Sequence, residues 1–420
     1  MKRSLFFSLI VSLVFTQACV KDEDYIFEGS SAERIAAALA EYKDVLAGAP
    51  NGWVMEYYPE EDYGIGGYTF ICKFDDAGNV TVASEIADVD YQTTSLYKLI
   101  SDQGPVLSFD TYNDIFHYFS TPSGSDVDAY SSDYEFVMTS VSSGYIEMTG
   151  KKYGNKVVMT PLDEQQDWAN YLQQVVDVSD ASAFGTYRFV VSNEEISSVV
   201  QTDRTFTFTL NDGSSVSTSF IYTTTGIKFH EPLTIGGVTV QYFDWDATTN
   251  TFVCSDQGVT ASIVVNLPDD YLYYSDYIGN WLMSGSPSAF TTTLTIVQET
   301  KNKTLRVKGL AFDFLMTYNR ANGTVSITSQ QVGTYNGNYV YLAPWNTSAG
   351  YLTIGSGVGM NSVWNGSKDN FILSFADNGV WVTYSVNGFL FWQWTTAGAS
   401  AGGYTVANYR FYNFKMTKQQ

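Results

Sequence analysis

Two histidines, three cysteines and 44 acidic residues are what this 420-residue chain could use for chemistry. Gly398-Ala399-Ser400-Ala401-Gly402 has the Gly-x-Ser-x-Gly spacing of a nucleophile elbow. An elbow sits on a strand-to-helix turn and needs a histidine later in the chain. His117 and His230 both come before it, so the run reads as a flexible hairpin loop. His230-Glu231-Pro232 is no zincin helix, because proline follows and no second histidine stands at the required spacing. Gly355 to Gly359 lacks the strand-to-helix setting of a dinucleotide loop and reads as a bend. Glycoside hydrolysis needs only two carboxylates. Asp133 with Glu135, and Asp244 with Asp246, are predicted to share a strand face, but no glycosidase motif frames either pair. Asp126, Asp128 and Asp133 fall in a serine-rich stretch that could offer oxygens to Ca²⁺; their spacing is not that of an EF-hand, and a solvated loop is the preferred reading. Cys72 and Cys254 lie in apolar strand-like runs. They read as small buried thiols, with a disulfide between them the alternative. No cofactor or metal is expected, and the balance favours binding over catalysis, with a carboxylate hydrolase as a distant alternative.

Aromatic side chains are the stronger signal, at 16% of the chain. Six of the nine tryptophans lie beyond Asp269: Trp281, Trp345, Trp364, Trp381, Trp392 and Trp394. Trp345 follows Pro344 and Trp364 precedes Asn365-Gly366. Both are therefore predicted in loops, where they could stack on a sugar or small molecule, and they are the candidate ligand-binding residues. In 389–394, Phe389, Phe391 and Gln393 alternate with Leu390, Trp392 and Trp394, so both faces of that strand carry large apolar groups.

The elements that must position these residues are mostly strands. Short alternating runs rich in Tyr, Phe, Thr and Val are separated by turn residues. Asn-Gly pairs at Asn322, Asn336, Asn365, Asn378 and Asn387 suit two-residue hairpin loops. The run 381–394 is predicted to be one such hairpin about Asn387-Gly388. Two helices stand out. The first is opened by a capping box, Ser30 with Glu33, and carries Ile35, Leu39, Tyr42 and Leu46 on one face. The second follows Pro161 and presents Trp168, Leu172, Val175 and Val176. Gly52-Trp53, Gly185-Thr186-Tyr187 and Gly279-Asn280-Trp281 each open a strand-rich segment. Ser95-Leu96-Tyr97 leading to Gly104–Phe109 echoes Ser219–Tyr222 leading to Gly226–Phe229. The expectation is a mainly β chain. Two related antiparallel modules, about 50–160 and 184–268, make an N-terminal domain over 31–268, and a β-barrel-like domain follows over 269–420.

At the start of the chain, Lys2 and Arg3 precede an apolar stretch ending at Ala18-Cys19. These are the parts of a secretory leader, and the stretch is shorter than the ~20 residues that span a bilayer. Residues 1–18 read as a lipoprotein signal peptide, and Cys19 as the lipidated first residue after cleavage. Residues 19–30 then form an acidic tether, in which Lys21, Asp22, Glu23 and Asp24 read as an export signal to the cell surface. The formal charge is −22. From residue 269 onward nine Lys/Arg oppose seven Asp/Glu, a balance of +2, whereas residues 19–268 carry 11 against 37, a balance of −26. Such a field excludes nucleic acid as a partner and disfavours lying on an anionic membrane.

Asn51-Gly52-Trp53, Gly66-Gly67-Tyr68, Lys73-Phe74, the run Gly104–Asn113, His117, Asp133–Phe136, Gly150-Lys151-Lys152 and Thr224–Ile227 resemble the Bacteroidota lipoprotein family known as domain of unknown function 4302. The likeness covers about 30–268. It implies an envelope lipoprotein, associated with outer-membrane nutrient import, without an assigned activity. Gly279-Asn280-Trp281 resembles the opening of lipocalin-type barrels, which implies that Arg410 stacks on Trp281. Together these readings give a surface-exposed, lipid-anchored outer-membrane protein that binds a glycan, small molecule or transporter complex. A carrier of a small apolar ligand in the C-terminal barrel is the alternative.

Overall fold

The computed structural model describes residues 30–60, 64–102, 104–122, 129–287, 290–405 and 409–419. Cys19, Lys21, Asp22, Glu23 and Asp24 lie outside that set, as do Asp126 and Asp128. Among the described residues the fold is mainly β, with two α-helices and 29 strands. It divides into two compact units: 69–168 with the residues up to 61, and 169–420 with 62–68.

Helix α1 (Ser31–Ala47) begins as its sequence dictates. The Ser30 hydroxyl accepts from the Glu33 N–H while the Glu33 carboxylate accepts from the Ser30 N–H, so two otherwise orphaned donors are satisfied. Eight antiparallel strands follow, from β1 (Trp53–Tyr57) to β8 (Lys156–Pro161), and pairing of β1 with β8 closes a barrel. Helix α2 (Trp168–Ser182) then leads into a second closed eight-stranded barrel, from β9 (Thr186–Val191) to β16 (Ala261–Val265). The echo seen in the sequence is a register. The Ser95–Tyr97 and Gly104–Phe109 runs form strands four and five of the first barrel, and Ser219–Tyr222 and Gly226–Phe229 form strands four and five of the second.

The C-terminal sheet contains β17 (Gly279–Ser286), β18 (Phe290–Thr300), β19 (Thr304–Lys308), β20 (Phe314–Asn319), β21 (Thr324–Thr328), β22 (Gln330–Tyr335), β23 (Asn338–Asn346) and β24 (Tyr351–Leu352). It continues with β25 (Gly359–Trp364), β26 (Ile372–Asp377), β27 (Gly388–Trp394), β28 (Ser400–Gly403) and β29 (Arg410–Lys418). Strands β17 to β21, β25, β26 and β29 form a ring of eight, closed by β29 against β17. From β29 the sheet also branches into a side sheet, β27–β23–β22, with β24 and β28 at its margins. A bulge allows one strand to serve both. Asn413 has φ +46°, and the β17–β29 register shifts between Ser284 and Ser286. Lys415 and Met416 therefore lie between β17 and β26, while Phe411 and Tyr412 turn to β27. An extra residue bends a strand in this way.

Each barrel is entered by the same device. Trp53, Tyr187 and Trp281 sit in the first strand of their barrels with at most 1% of their surface exposed. Trp53 Nε1 donates to the Leu46 carbonyl (2.9 Å), the Tyr187 hydroxyl to the Ser182 carbonyl (2.5 Å), and Trp281 Nε1 to the Tyr277 carbonyl (2.8 Å). Those carbonyls lie in the last turn of α1, of α2 and of the 3-10 turn Tyr274–Tyr277. A helix end leaves carbonyls without intrahelical partners, and here an aromatic donor both satisfies one and plugs the barrel.

Some expectations fail. Residues 381–394 do not form a hairpin: only 388–394 is strand, and 381–384 turn back on themselves through the Tyr384 N–H and the Trp381 carbonyl. Asn387 is inside a ladder, donating from its N–H to the Trp345 carbonyl, so Asn387-Gly388 is not free to turn. Asn336-Gly337, at φ +49° and +81°, does form the two-residue loop between β22 and β23. Arg410 does not reach Trp281 either. It pairs opposite Leu390 and lies over Tyr409, whereas Lys418, directly opposite Trp281, places its ammonium 5.6 Å from the indole centre.

Candidate functional site

Those carboxylates singled out for chemistry that fall among the described residues are spent on structure. Asp133 is buried just before its strand begins and accepts backbone N–H groups of Lys152 (2.8 Å), Tyr153 (3.0 Å) and Asn155 (3.4 Å). Gly150 is required beneath it, since a Cβ there would lie 1.9 Å from an Asp133 carboxylate oxygen. Glu135 pairs instead with Lys151 (3.0 Å), so the two acids do not act together on one strand face. Asp246 caps its own turn through Thr248 and Thr249, and Asp244 accepts from the Thr225 hydroxyl. Ser400 starts strand β28 and accepts a hydrogen bond from Trp392 Nε1 (2.8 Å), so the strand-to-helix turn of a nucleophile elbow is missing. His117 is buried, with its ring 5.4 Å from those of Tyr112 and Tyr134. Cys72 and Cys254 are free thiols; burial raises both, Cys254 to about 11. Among the described residues no group of three His, Cys, Asp or Glu is placed to hold a metal ion.

Trp345 and Trp364 are strand residues, not loop residues, and the fold separates them. Trp364 ends β25 and packs against Phe371 (5.2 Å), which also meets Trp281 (5.0 Å). It is part of the packing at the barrel end, with its buried Nε1 lacking a partner. Trp345 is the next-to-last residue of β23, and its row of the side sheet is distinctive. Directly opposed residues of antiparallel strands point to the same side. Register therefore aligns Tyr339 with Trp394, Tyr341 with Trp392, Ala343 with Leu390 and Arg410, and Trp345 with Gly388 and Tyr412. The opposite face carries Val340, Leu342, Phe389, Phe391 and Phe411, all fully buried in the core.

The result is six aromatic side chains on one face of three adjacent strands. Tyr339 is 37% exposed and the other five are half-buried. Their rings touch: Tyr341 meets Trp394 edge-on at 5.9 Å, Trp392 meets Trp394 at 6.4 Å, and Trp345 meets Tyr412 edge-on at 5.4 Å. Gly388 makes the last contact possible, because it lies between the two rings and offers no side chain. Exposed Gln331 and Thr334 of β22 flank Tyr341 and Tyr339, exposed Ser400 flanks Trp394, and exposed Arg410 stands at the β29 margin. No carboxylate enters these rows, in a chain with twice as many acidic as basic residues. The sequence offered a partial signal: Tyr339, Tyr341 and Trp345 share parity in one run, as do Leu390, Trp392 and Trp394 in another. That the two runs are neighbours, and that Tyr412 joins them, follows only from long-range pairing.

Residues 23–247 match the family described as domain of unknown function (DUF4302), more than half of the chain. Residues 255–392 match a second family, also described as a domain of unknown function (DUF4987). No curated protein matches the chain.

Proposed function

This chain belongs to the family of domain of unknown function (DUF4302), and on that footing we propose that it is a non-catalytic glycan-binding lipoprotein. In this reading Cys19 anchors it to the outer membrane, Lys21–Asp24 direct it to the cell surface, and it serves as an accessory to nutrient uptake. The observation that carries the proposal is the side-sheet face of Tyr339, Tyr341, Trp345, Trp392, Trp394 and Tyr412. Flat aromatic rings stack on the C–H faces of sugars, burying large area with little loss of rotamer freedom. Amide and hydroxyl groups at the margins can bond sugar hydroxyls, and the lack of acid suits a neutral polymer. Clustered, partly exposed aromatics of this kind mark interaction surfaces.

A carrier role in the C-terminal barrel is less well supported. Its inward positions are filled by Trp281, Met283, Ile296, Leu305, Met316 and Leu373, each at most 1% exposed, so space for a ligand would have to be opened in a packed core.

The test is affinity electrophoresis of the intact chain through gels containing neutral polysaccharides. Retardation by at least one of them, and its loss in the Trp392→Ala/Trp394→Ala double variant with an unchanged far-ultraviolet spectrum, is the expected result. Loss of one stacking ring commonly costs ~2 kcal/mol, about 30-fold in affinity. Migration unaffected by any neutral polysaccharide, or retardation that survives the double substitution, would overturn the assignment. For the address, Cys19→Ala is expected to move the protein from the membrane to the soluble fraction, and continued membrane attachment would refute lipidation.

A further inference from the structure

A second recognition surface of opposite chemistry lies elsewhere in the same compact unit. A cleft of about 420 Å³ is lined by turn residues of the second barrel and by the entrance and strand ends of the C-terminal barrel. That volume falls at the small end of ligand sites. Its charged lining consists of two cations, Arg320 and Lys301, and no acid. Asp276 and Glu299, next in sequence to lining residues, are engaged with Lys368 (3.1 Å) and Arg306 (2.5 Å), and Asp180 with Lys303 (2.7 Å), while Asp269 and Asp270 stand exposed just before Tyr271. Lys301 is exposed and makes no ion pair among the described residues. The Arg320 guanidinium is held in place, donating from one terminal nitrogen to the Ala181 carbonyl (2.6 Å) and lying 5.0 Å from the Phe184 ring centre. Its Nε is buried with no hydrogen-bond partner. Beside the cations, Tyr273 presents a ring that is 47% exposed and braced edge-on by Tyr271 at 5.2 Å. Gln298, Asn250 and Asn302 supply amides along the walls.

We propose that this cleft binds a sugar acid, a single pyranose bearing a carboxylate. The carboxylate pairs with Arg320 and Lys301, the ring stacks on Tyr273, and the amides bond the hydroxyls. A site whose only charges are cations, in a chain of net charge −22, concentrates small anions locally where the surrounding field repels them. Planar guanidinium groups favour carboxylates because two N–H donors match two oxygens. The site is independent of the aromatic side-sheet face, so either can fail without the other.

The experiment is isothermal titration of the intact chain with glucuronate, and separately with glucose and acetate as controls for ring and charge alone. Glucuronate is expected to bind at least about tenfold more tightly than either control, since each of them lacks one half of the recognition. Added salt is expected to weaken it. Lys301→Glu and Tyr273→Ala, both at exposed side chains, are each expected to reduce glucuronate affinity about tenfold or more, with unchanged far-ultraviolet dichroism, and to leave polysaccharide retardation intact. Equal binding of glucose and glucuronate, equal binding of acetate, no heat from glucuronate at millimolar concentration, or full affinity in Lys301→Glu would each overturn the proposal.

Discussion

Adding one methyl group at Gly388 is expected to damage both the side sheet and the surface it displays. A Cβ at this position would lie 2.3 Å from Tyr412 Cβ, 2.6 Å from the Phe411 carbonyl oxygen and 2.7 Å from Tyr412 Cα. Two of these atoms are backbone and the third is a Cβ fixed to it, so no side-chain rotation relieves the overlap. Carbon atoms rest at about 3.5–4.0 Å, so β27 and β29 must separate by more than about 1 Å. The ladder between them is short, with Gly388, Phe389 and Leu390 opposite Tyr412, Phe411 and Arg410. It is extended by the Phe391 N–H on the Tyr409 carbonyl and the Asn413 N–H on the Asn387 carbonyl, both at 2.8 Å. Overpacking of this sort costs about 1–3 kcal/mol, and one lost ladder bond adds about 1 kcal/mol, so Gly388→Ala should destabilise the C-terminal sheet by roughly 2–4 kcal/mol. The same methyl sits between the rings of Trp345 and Tyr412 and forces them apart. Urea unfolding followed by tryptophan fluorescence reads the first effect, and polysaccharide retardation reads the second. If Gly388→Ala unfolds at the wild-type midpoint with wild-type retardation, the side sheet is not joined to the barrel as described.

Asp133→Ala leaves the backbone N–H groups of Lys152, Tyr153 and Asn155 without their acceptor, the last of them buried and the other two partly so. Hydrogen bonds to a charged group are worth about 1.5–3 kcal/mol each; with one of the three long, a loss of roughly 3–6 kcal/mol in the first unit is expected in urea unfolding, and a loss below about 1 kcal/mol would refute the role. Burial holds the His117 imidazole below its ordinary value, so the folded state releases the proton that the unfolded state still binds. Stability of the first unit is therefore expected to be complete above about pH 6.5 and to fall as pH drops from there toward the depressed folded value. Urea midpoints at several pH values should show this fall in the wild type, and it should be smaller in His117→Gln; identical pH profiles would count against it.

Local signals in the sequence were sufficient where local physics sets the structure. The Ser30–Glu33 capping box fixes the start of α1, and the recurrent Gly-aromatic starts mark the first strand of each barrel because each ring must donate to the helix end just before it. Pro344 reads as a strand breaker, which places Trp345 in a loop. In the fold, Pro344 falls where β23 passes from one outer neighbour, paired up to Leu342, to the next, starting at Trp345. A missing N–H is tolerated at such a gap. Asn365-Gly366 marks the end of a strand without revealing that the strand includes Trp364. The branch at β29 was not legible at all. It depends on a bulge at Asn413 and on pairing between residues more than 130 positions apart, such as Trp281 with Lys418.

Closed barrels have no free border, since every strand is bonded on both sides. The side sheet is different: among the described residues β22 has β23 on one flank only. Such a strand offers unpaired amides and carbonyls that another chain can extend. Here the border is short and broken by a register shift between Gln331 and Gly333, which limits how many successive bonds a neighbour could form. When this protein is crowded, in concentrated solution or at high density on a membrane, strand-to-strand association between copies is expected to begin at β22. Lysine at Thr334, an exposed position on that border, is the substitution that should raise its solubility limit most directly.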